Sequence, residues 1–296
     1  MKSVQIQLTT KCNERCFMCR KYTWPVKELD FEILKEKLIK YKDCTITFSG
    51  GDPLAYSRLA DLNNILKQYD IVYQVFTNMN YALDDEQEYF LSMASVIQVS
   101  FDGSSASTYQ SVRRCKENGF DYVCRNIMRY SYKIKINCTV SNRNYFDVRN
   151  IFIRSKRLLG INEQDTPAIR FFPVHTDENA LLQPWMYKHI QMQFEEMQER
   201  LPNSVRFLLN KKQEESFCGA CYVKLEHRIV DEFGREFPCC RAINDNGEDW
   251  DGKYCVENLD GMDNPNVLYD FCKGCDRYVK FNKNWSEYAS KERVFL

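Results

Sequence analysis

The chain has 296 residues, with 41 Lys and Arg against 41 Asp and Glu, so its formal net charge at pH 7 is zero. That length suits one large domain, or one domain with an appendage, and the charge balance excludes the basic footprint of a nucleic-acid binder. The N-terminus, MKSVQIQLTT, is too polar for a signal peptide, and no apolar run reaches the roughly 18 residues of a membrane span; no membrane partner and a cytoplasmic location are expected.

SVQIQL (3–8) alternates apolar and polar residues, as a strand does. The stretch KCNERCFMCR (11–20) follows it directly. ELDFEILKEKLIKY (28–41) sets Leu29, Ile33, Leu34 and Leu38 on one helical face. CTITFS (44–49) predicts a strand that runs into Gly50-Gly51-Asp52-Pro53, and AYSRLADLNNILKQY (55–69) a helix. IVYQVFT (71–77) predicts a strand ending at Thr77-Asn78, DDEQEYFLSM (84–93) a helix, and VIQVSF (96–101) a strand that closes on Ser100 and Asp102. A helix over 118–130, a strand KIKINCTV (133–140), a helix over 146–159 and a sixth strand AIRFFPV (168–174) follow. QPWMYKHIQMQFEEMQERL (183–201) reads as a helix with Pro184 in its first turn.

Strands alternating with helices predict parallel βαβ units, coiled right-handed into a partial (β/α)6 TIM-like barrel over residues 1–210. In such a barrel chemistry belongs at the C-terminal ends of the strands. Cys12–Cys19, Gly50–Pro53, Asn78, Ser100, Arg170 and His175 all fall there. Asp177 and Glu178, just beyond, could meet hydroxyl or amine groups, although solvated loop residues are common at such places. Past residue 210 the rhythm breaks. HRIVDEFGREFPCC (227–240) predicts a hairpin turning at Gly234, and residues 211–296 predict a small, cysteine-rich C-terminal domain.

Fourteen cysteines in a reducing compartment point to metal or catalysis, above all where they cluster. Cys44, Cys115, Cys124 and Cys138 stand apart and read as small buried hydrophobes. Cys12, Cys16 and Cys19 are close enough in sequence to ligate one compact centre. A tetrahedral zinc site or an ordinary iron–sulfur cluster takes four protein ligands, and Glu14, Cys44 and His175 are poor candidates for a fourth. On spacing alone, zinc with a distant ligand and a cluster with one open position both stand.

CxxxCxxC directly after the first strand of a βα barrel resembles the radical SAM superfamily. The resemblance implies a 4Fe–4S cluster on Cys12, Cys16 and Cys19, with S-adenosyl-L-methionine chelating the fourth iron. Reductive cleavage of that molecule would yield a 5′-deoxyadenosyl radical that abstracts hydrogen from a substrate. SGGDPL (49–54) resembles the family's Gly-Gly-Glu-Pro stretch, so Gly50, Gly51, Asp52 and Pro53 are expected at the cofactor. Asn78 matches the end of the third strand and Ser100 the ribose-contacting fourth strand. Arg113 or Arg114 is a candidate for the cofactor carboxylate, because a guanidinium fork suits it, and a solvated helix end is the plain alternative. The chain departs from the family at Met18, where an aromatic residue is usual, and at Asp52, where Glu is usual.

CGAC (218–221), the Cys239-Cys240 pair and CKGC (272–275) resemble the SPASM/twitch extension of that superfamily. The resemblance implies an auxiliary 4Fe–4S cluster on Cys221, Cys239, Cys272 and Cys275, the twitch form with one cluster, with Cys218 and Cys240 as substitutes for their neighbours. A zinc ribbon is the alternative for the same spacing. Cys255 has no ligand duty and is a candidate hydrogen-atom donor, or an incidental thiol.

The expected activity is oxidation or epimerisation of a small polar molecule, such as a sugar, cyclitol or aminoglycoside, by a radical SAM oxidoreductase or epimerase. An electron donor such as flavodoxin or ferredoxin is expected as partner. The second expectation is epimerisation or crosslinking of a ribosomally made peptide; a chain that opens at its first strand offers no recognition segment ahead of it. A zinc-stapled binding protein is the expectation of another class.

Overall fold

The computed structural model describes residues 3–19, 25–160, 169–174, 178–200, 206–207, 227–239, 256–260 and 262. In chain order the elements are β1 (Ser3–Thr9), α1 (Phe31–Lys40), β2 (Thr45–Gly50), α2 (Leu59–Gln68), β3 (Tyr73–Thr77), α3 (Asp85–Met93), β4 (Val96–Ser100), α4 (Ala106–Arg113), α5 (Gly119–Arg129), β5 (Ile134–Val140), α6 (Val148–Leu159), β6 (Ile169–Pro173), α7 (Pro184–Arg200), β7 (Arg206–Phe207), β8 (His227–Val230) and β9 (Glu236–Phe237). Among the described residues no helix is long and apolar enough to cross a membrane.

The chain divides into two compact units: Leu8–Glu28 with Phe48–Leu209, and Met1–Gln7 with Leu29–Thr47 and Asn210–Leu296. The first carries the expected architecture, a mostly parallel sheet consistent with a partial TIM-like barrel. Its strands β7-β6-β5-β4-β3 run in that order, and it also holds the C-terminal residues of β2 and β1; pairing is parallel from β3 through β7. One short strand more than the six predicted is present, because Arg206–Phe207 pairs with Arg170–Phe171. β5 alternates buried and half-buried residues along its whole length, and Val75, Ile97, Val99, Ile136 and Phe171 are fully buried. Phe48, Tyr73 and Phe90 pack as a ring cluster with centroids 5.0–5.7 Å apart, favourable beyond their buried area. Helix starts carry side-chain caps: Asp84 and Gln87 form a capping box on α3, and Ser105 caps α4, each cap worth about 1 kcal/mol. Gly160, left-handed at φ 64°, closes α6. Of the four isolated cysteines, Cys124 and Cys138 are buried as expected, whereas Cys44 and Cys115 are half-buried.

α4 enters the sequence reading only as a helix end at Arg113 or Arg114, not as an element of its own, and the reason is physical. Its buried residues are Tyr109, Val112 and Arg113. The spacing i, i+3, i+4 is that of a helical face, but a charged residue occupies one of the three inward positions.

The second unit holds the N-terminal residues of β2 and β1, followed by β8 and β9. Ser3, Val4, Gln5 and Ile6 pair in parallel with His227, Arg228, Ile229 and Val230. The hairpin falls where the sequence predicts it, with Gly234 at φ 80° in its turn. Asp231 holds that turn, accepting from the Phe233 and Arg235 N–H groups and from the Arg235 guanidinium. The Glu236 carboxylate accepts from Lys37 and Lys40 at 2.7 Å each and from the Tyr41 hydroxyl at 2.6 Å. Burial raises its pKa, but those three donors outweigh burial and bring it down from 4.5 to about 2. Because the carboxylate is only part-buried and water screens its partners, that displacement is worth about 1–2 kcal/mol to the folded state. The depressed carboxyl binds fewer protons folded than unfolded, so this stabilisation is present above pH 4.5 and is lost as pH falls toward 2. Glu236→Gln is therefore expected to lower stability by about 1–2 kcal/mol at pH 7, with a gap from the parent chain that closes between pH 4.5 and 2, read by chemical denaturation at each pH.

Candidate metal centre

The three-cysteine loop leaves the C-terminal end of β1. Thr9 and Thr10 begin it by bonding to the returning chain: their hydroxyls donate to the carbonyls of Lys27 and Pro25 at 2.9 and 2.8 Å. The loop is then clamped from the other side by the turn after β2. The Gly51 N–H donates to the Thr9 carbonyl at 2.6 Å and the Asp52 N–H to the Lys11 carbonyl at 2.9 Å. A Cβ at Gly50 would overlap the Thr9 carbonyl oxygen, and one at Gly51 the carbonyl oxygens of Lys11 and Thr10. The Gly-Gly pair is thus a close approach of two backbones. Gly50 also needs its freedom of φ, at 134°.

Asp52 extends the clamp to β3. Its carboxylate is 1% exposed and accepts from the Leu54 N–H at 3.0 Å, the Thr77 hydroxyl at 3.0 Å and the Asn78 N–H at 2.8 Å. The shorter acid reaches the backbone of its own turn, capping the 3₁₀ turn Pro53–Ala55, with Pro53 buried in its first position. Burial raises the Asp52 carboxyl to about 7, against the pull of its donors.

The cysteine side chains have distinct surroundings. Cys12 Sγ accepts from the Glu14 N–H at 3.4 Å and from Asn78 Nδ2 at 3.5 Å. The buried Cys16 thiol donates to Glu14 Oε2 at 3.6 Å. Cys19, half-buried, donates its N–H to the Cys16 carbonyl at 3.0 Å and packs against the buried group Cys16, Phe17, Met18, Val112, Val174 and Ala180. Met18 is thus a core residue of the loop's underside, while the Phe17 ring lies 4.2 Å from the Arg143 guanidinium, a cation–π contact.

Glu14, which the sequence offers only as a poor ligand, is the hub of the loop. It is 2% exposed. Oε2 accepts from Arg113 Nε at 2.7 Å and Nη2 at 2.6 Å, and Oε1 from the Tyr109 hydroxyl at 3.1 Å and Asn80 Nδ2 at 3.2 Å. Arg113 Nη1 reaches Asp102 Oδ2 at 2.9 Å, and Asp102 Oδ1 accepts from the Thr139 N–H at 2.7 Å. A chain of buried charges therefore joins the loop to α4, β4 and β5. Arg113 is buried and Arg114 exposed in a left-handed cap, so the solvated-helix-end reading fails for Arg113. Its guanidinium already holds two carboxylates of the chain itself.

Ser100 ends β4, half-buried, opposite Asn137, and Arg170 is exposed on β6. Glu178 opens the 3₁₀ turn Glu178–Ala180. Cys239 is buried. His175, Asp177, Cys218, Cys221, Cys240, Cys255, Cys272 and Cys275 lie outside the described residues. Sequence reasoning passed over Asn13, Asn80, Tyr81 and Tyr109, which line the loop; for Asn80 and Tyr81 the one advance signal was the run of polar residues after β3.

The donor set fits an iron–sulfur centre. Burial pushes the Cys12 thiol up to about 12, with Asp52 adding to it, and pushes the Cys16 thiol well above its ordinary range. Such thiols are inert nucleophiles, but a bound metal deprotonates them outright. Among the described residues no three Cys, His, Asp or Glu side chains converge as ligands of one ion; a cluster spaces its thiolates more widely. The Tyr81 hydroxyl is buried beside the loop. Its pKa is driven up by burial and then by the Asp52, Cys12 and Glu14 charges, against a backbone hydrogen bond at Asn13.

No protein-family model and no curated protein sequence matches the chain. Solved structures do. anSMEcpe with bound AdoMet and Cp18Cys peptide aligns with a TM-score of 0.60 at 16% identity, covering 80% of this chain and 74% of that one. SuiB of Streptococcus suis bound to S-adenosylmethionine aligns at 0.64 and 12% identity, over 88% of this chain and 64% of SuiB. SuiB bound to precursor peptide SuiA aligns at 0.63 and 14% identity, over 88% and 63%. The chain thus spans somewhat less than two thirds of the length of SuiB. These neighbours are radical SAM enzymes, and the chain has their fold.

Proposed function

We propose that this protein is a radical SAM enzyme. The observation that carries the reading is the three-cysteine loop locked, backbone to backbone, onto the Gly-Gly turn of the next strand. In this reading Cys12, Cys16 and Cys19 hold a 4Fe–4S cluster. When bound, the cluster and S-adenosylmethionine supply a 5′-deoxyadenosyl radical by one-electron cleavage. The chain's own part is positional. Gly50, Gly51, Asp52 and Pro53 form the wall beside the loop, Ser100 marks the end of β4, and Arg113 holds Glu14 so that Cys12 and Cys16 keep their spacing. Residues 1–210 form the radical SAM barrel and 211–296 a twitch-type domain, with Cys221, Cys239, Cys272 and Cys275 on a second cluster. A ferredoxin or flavodoxin supplies electrons.

The first substrate class is a small polar molecule, oxidised or epimerised, with Cys255 as hydrogen donor in the second case. A peptide is the second, supported by the peptides bound in anSMEcpe and SuiB structures. Anaerobic reconstitution with iron and sulfide, followed by dithionite and S-adenosylmethionine, tests the core of the reading. An iron–sulfur chromophore and release of 5′-deoxyadenosine are expected. The C12A/C16A/C19A variant is expected to lose all cleavage while keeping about half of the iron, held by the second cluster. Zinc without a chromophore would overturn the proposal. Incubation with sugar-class and peptide candidates in deuterated solvent then separates the substrate classes by mass.

A further inference from the structure

We infer that Asn78 sets the reduction potential of the three-cysteine centre through a hydrogen bond from its amide to the Cys12 sulfur. The inference rests on the proposal that the loop holds an iron–sulfur cluster. Asn78 is 3% exposed at the end of β3. Its amide has one orientation that satisfies its neighbours. Oδ1 accepts from the Asn80 N–H at 2.7 Å, so Nδ2 must face the loop. There one N–H goes to Asn13 Oδ1 at 2.7 Å and the other to Cys12 Sγ at 3.5 Å. Asn13 is itself anchored, donating to the Asn80 carbonyl. The Asn78 N–H is tied to Asp52, which places the side chain from the backbone side.

The Cys12 and Cys16 sulfurs are therefore unequal. Cys12 Sγ receives two N–H groups, from Asn78 and from the Glu14 backbone. Cys16 faces a carboxylate instead, and Arg113 neutralises that carboxylate from behind. Reducing a cluster places more negative charge on its sulfurs. An N–H directed at a ligating sulfur stabilises the reduced form more than the oxidised one and raises the potential. Removing the donor lowers it, and replacing the donor with a carboxylate lowers it further.

The experiment is an EPR-monitored redox titration of the anaerobically reconstituted full chain, with the three-cysteine centre identified as the signal missing from C12A/C16A/C19A. Asn78→Ala, Asn78→Asp and Asn126→Ala are compared with the parent protein. Asn126 is the control for loop support. It donates to the Met79 and Tyr81 carbonyls at 2.9 Å each, beside Asn78, and no hydrogen bond joins it to a cysteine sulfur among those described. A lower midpoint potential in Asn78→Ala, lower again in Asn78→Asp, at parental iron content and with Asn126→Ala unmoved, is expected. The inference is overturned if both Asn78 variants load iron and titrate with the parent, or if Asn126→Ala falls as far as they do. Should Asn78→Ala fail to load iron, Asn78→Asp decides alone, and loss of iron from both assigns Asn78 to loop assembly and overturns the inference. A parent chain that forms no cluster fails earlier, and that failure belongs to the proposed function.

Discussion

Arg113→Met is expected to cost about 3–5 kcal/mol of stability and to abolish iron–sulfur loading. The guanidinium lies between two buried carboxylates, Glu14 and Asp102, whose side chains are fully buried. Removing it leaves both without their cation, and an uncompensated buried charge is the expensive case. Lysine is expected to recover only a fraction, since one ammonium cannot present the Nε/Nη2 edge to Glu14 and Nη1 to Asp102 together. The pH dependence has a definite sign. Burial already raises the Asp102 carboxyl above 3.8, while Arg113 pulls it down. Without Arg113 it rises further, so the folded variant binds more protons than the unfolded chain above about pH 4. Its deficit should grow as pH rises and shrink toward pH 4. Denaturant midpoints of parent and variant across that range, with iron content after reconstitution, read both effects. A deficit independent of pH would show that lost packing dominates.

Gly50→Ala is the second large effect. The new Cβ would overlap the Thr9 carbonyl oxygen, a backbone atom that cannot rotate aside, and φ of 134° is a region that L side chains rarely adopt. Overpacking costs roughly 1–3 kcal/mol and the strained φ roughly 1–3 kcal/mol more. The loop bearing Cys12 must move to relieve the overlap, so loss of cluster loading is expected with the loss of stability. Gly160→Ala is the comparison. Its φ of 64° is also left-handed, but nothing lies within 4 Å of its Cβ position. It should cost about 1 kcal/mol and leave loading untouched. Equal iron loading in Gly50→Ala and the parent would refute the clamp.

Asp52 shows how a departure from the family pattern resolves once geometry is known. As a sequence feature it leaves cofactor positioning open. In the structure the shorter acid caps its own turn and accepts from Thr77 and Asn78, so the side chain is engaged by the scaffold. Met18 resolves similarly: its position in the motif suits an aromatic residue, and here it fills the space beneath the loop with Val112, Val174 and Ala180.

What could be read from the amino-acid order alone was local. Alternating apolar residues in SVQIQL mark a strand, KIKINCTV and AIRFFPV read as further strands set between helices, and that rhythm predicts the parallel sheet. The spacing of Cys12, Cys16 and Cys19 marks a three-ligand loop, because ligand spacing is set by a few consecutive residues. Gly50-Gly51 announces a turn by its lack of side chains. The tertiary structure decided everything that depends on residues far apart in the chain. Glu14 meets Arg113 across 99 positions and Asn78 meets Cys12 across 66. α4 escaped the apolar periodicity because Arg113, a charged residue, sits on its inward face, and an inward charge is tolerable only with its carboxylates in place. Polar partners carry no periodic signal. A buried charge becomes intelligible only when the atoms that compensate it are seen beside it.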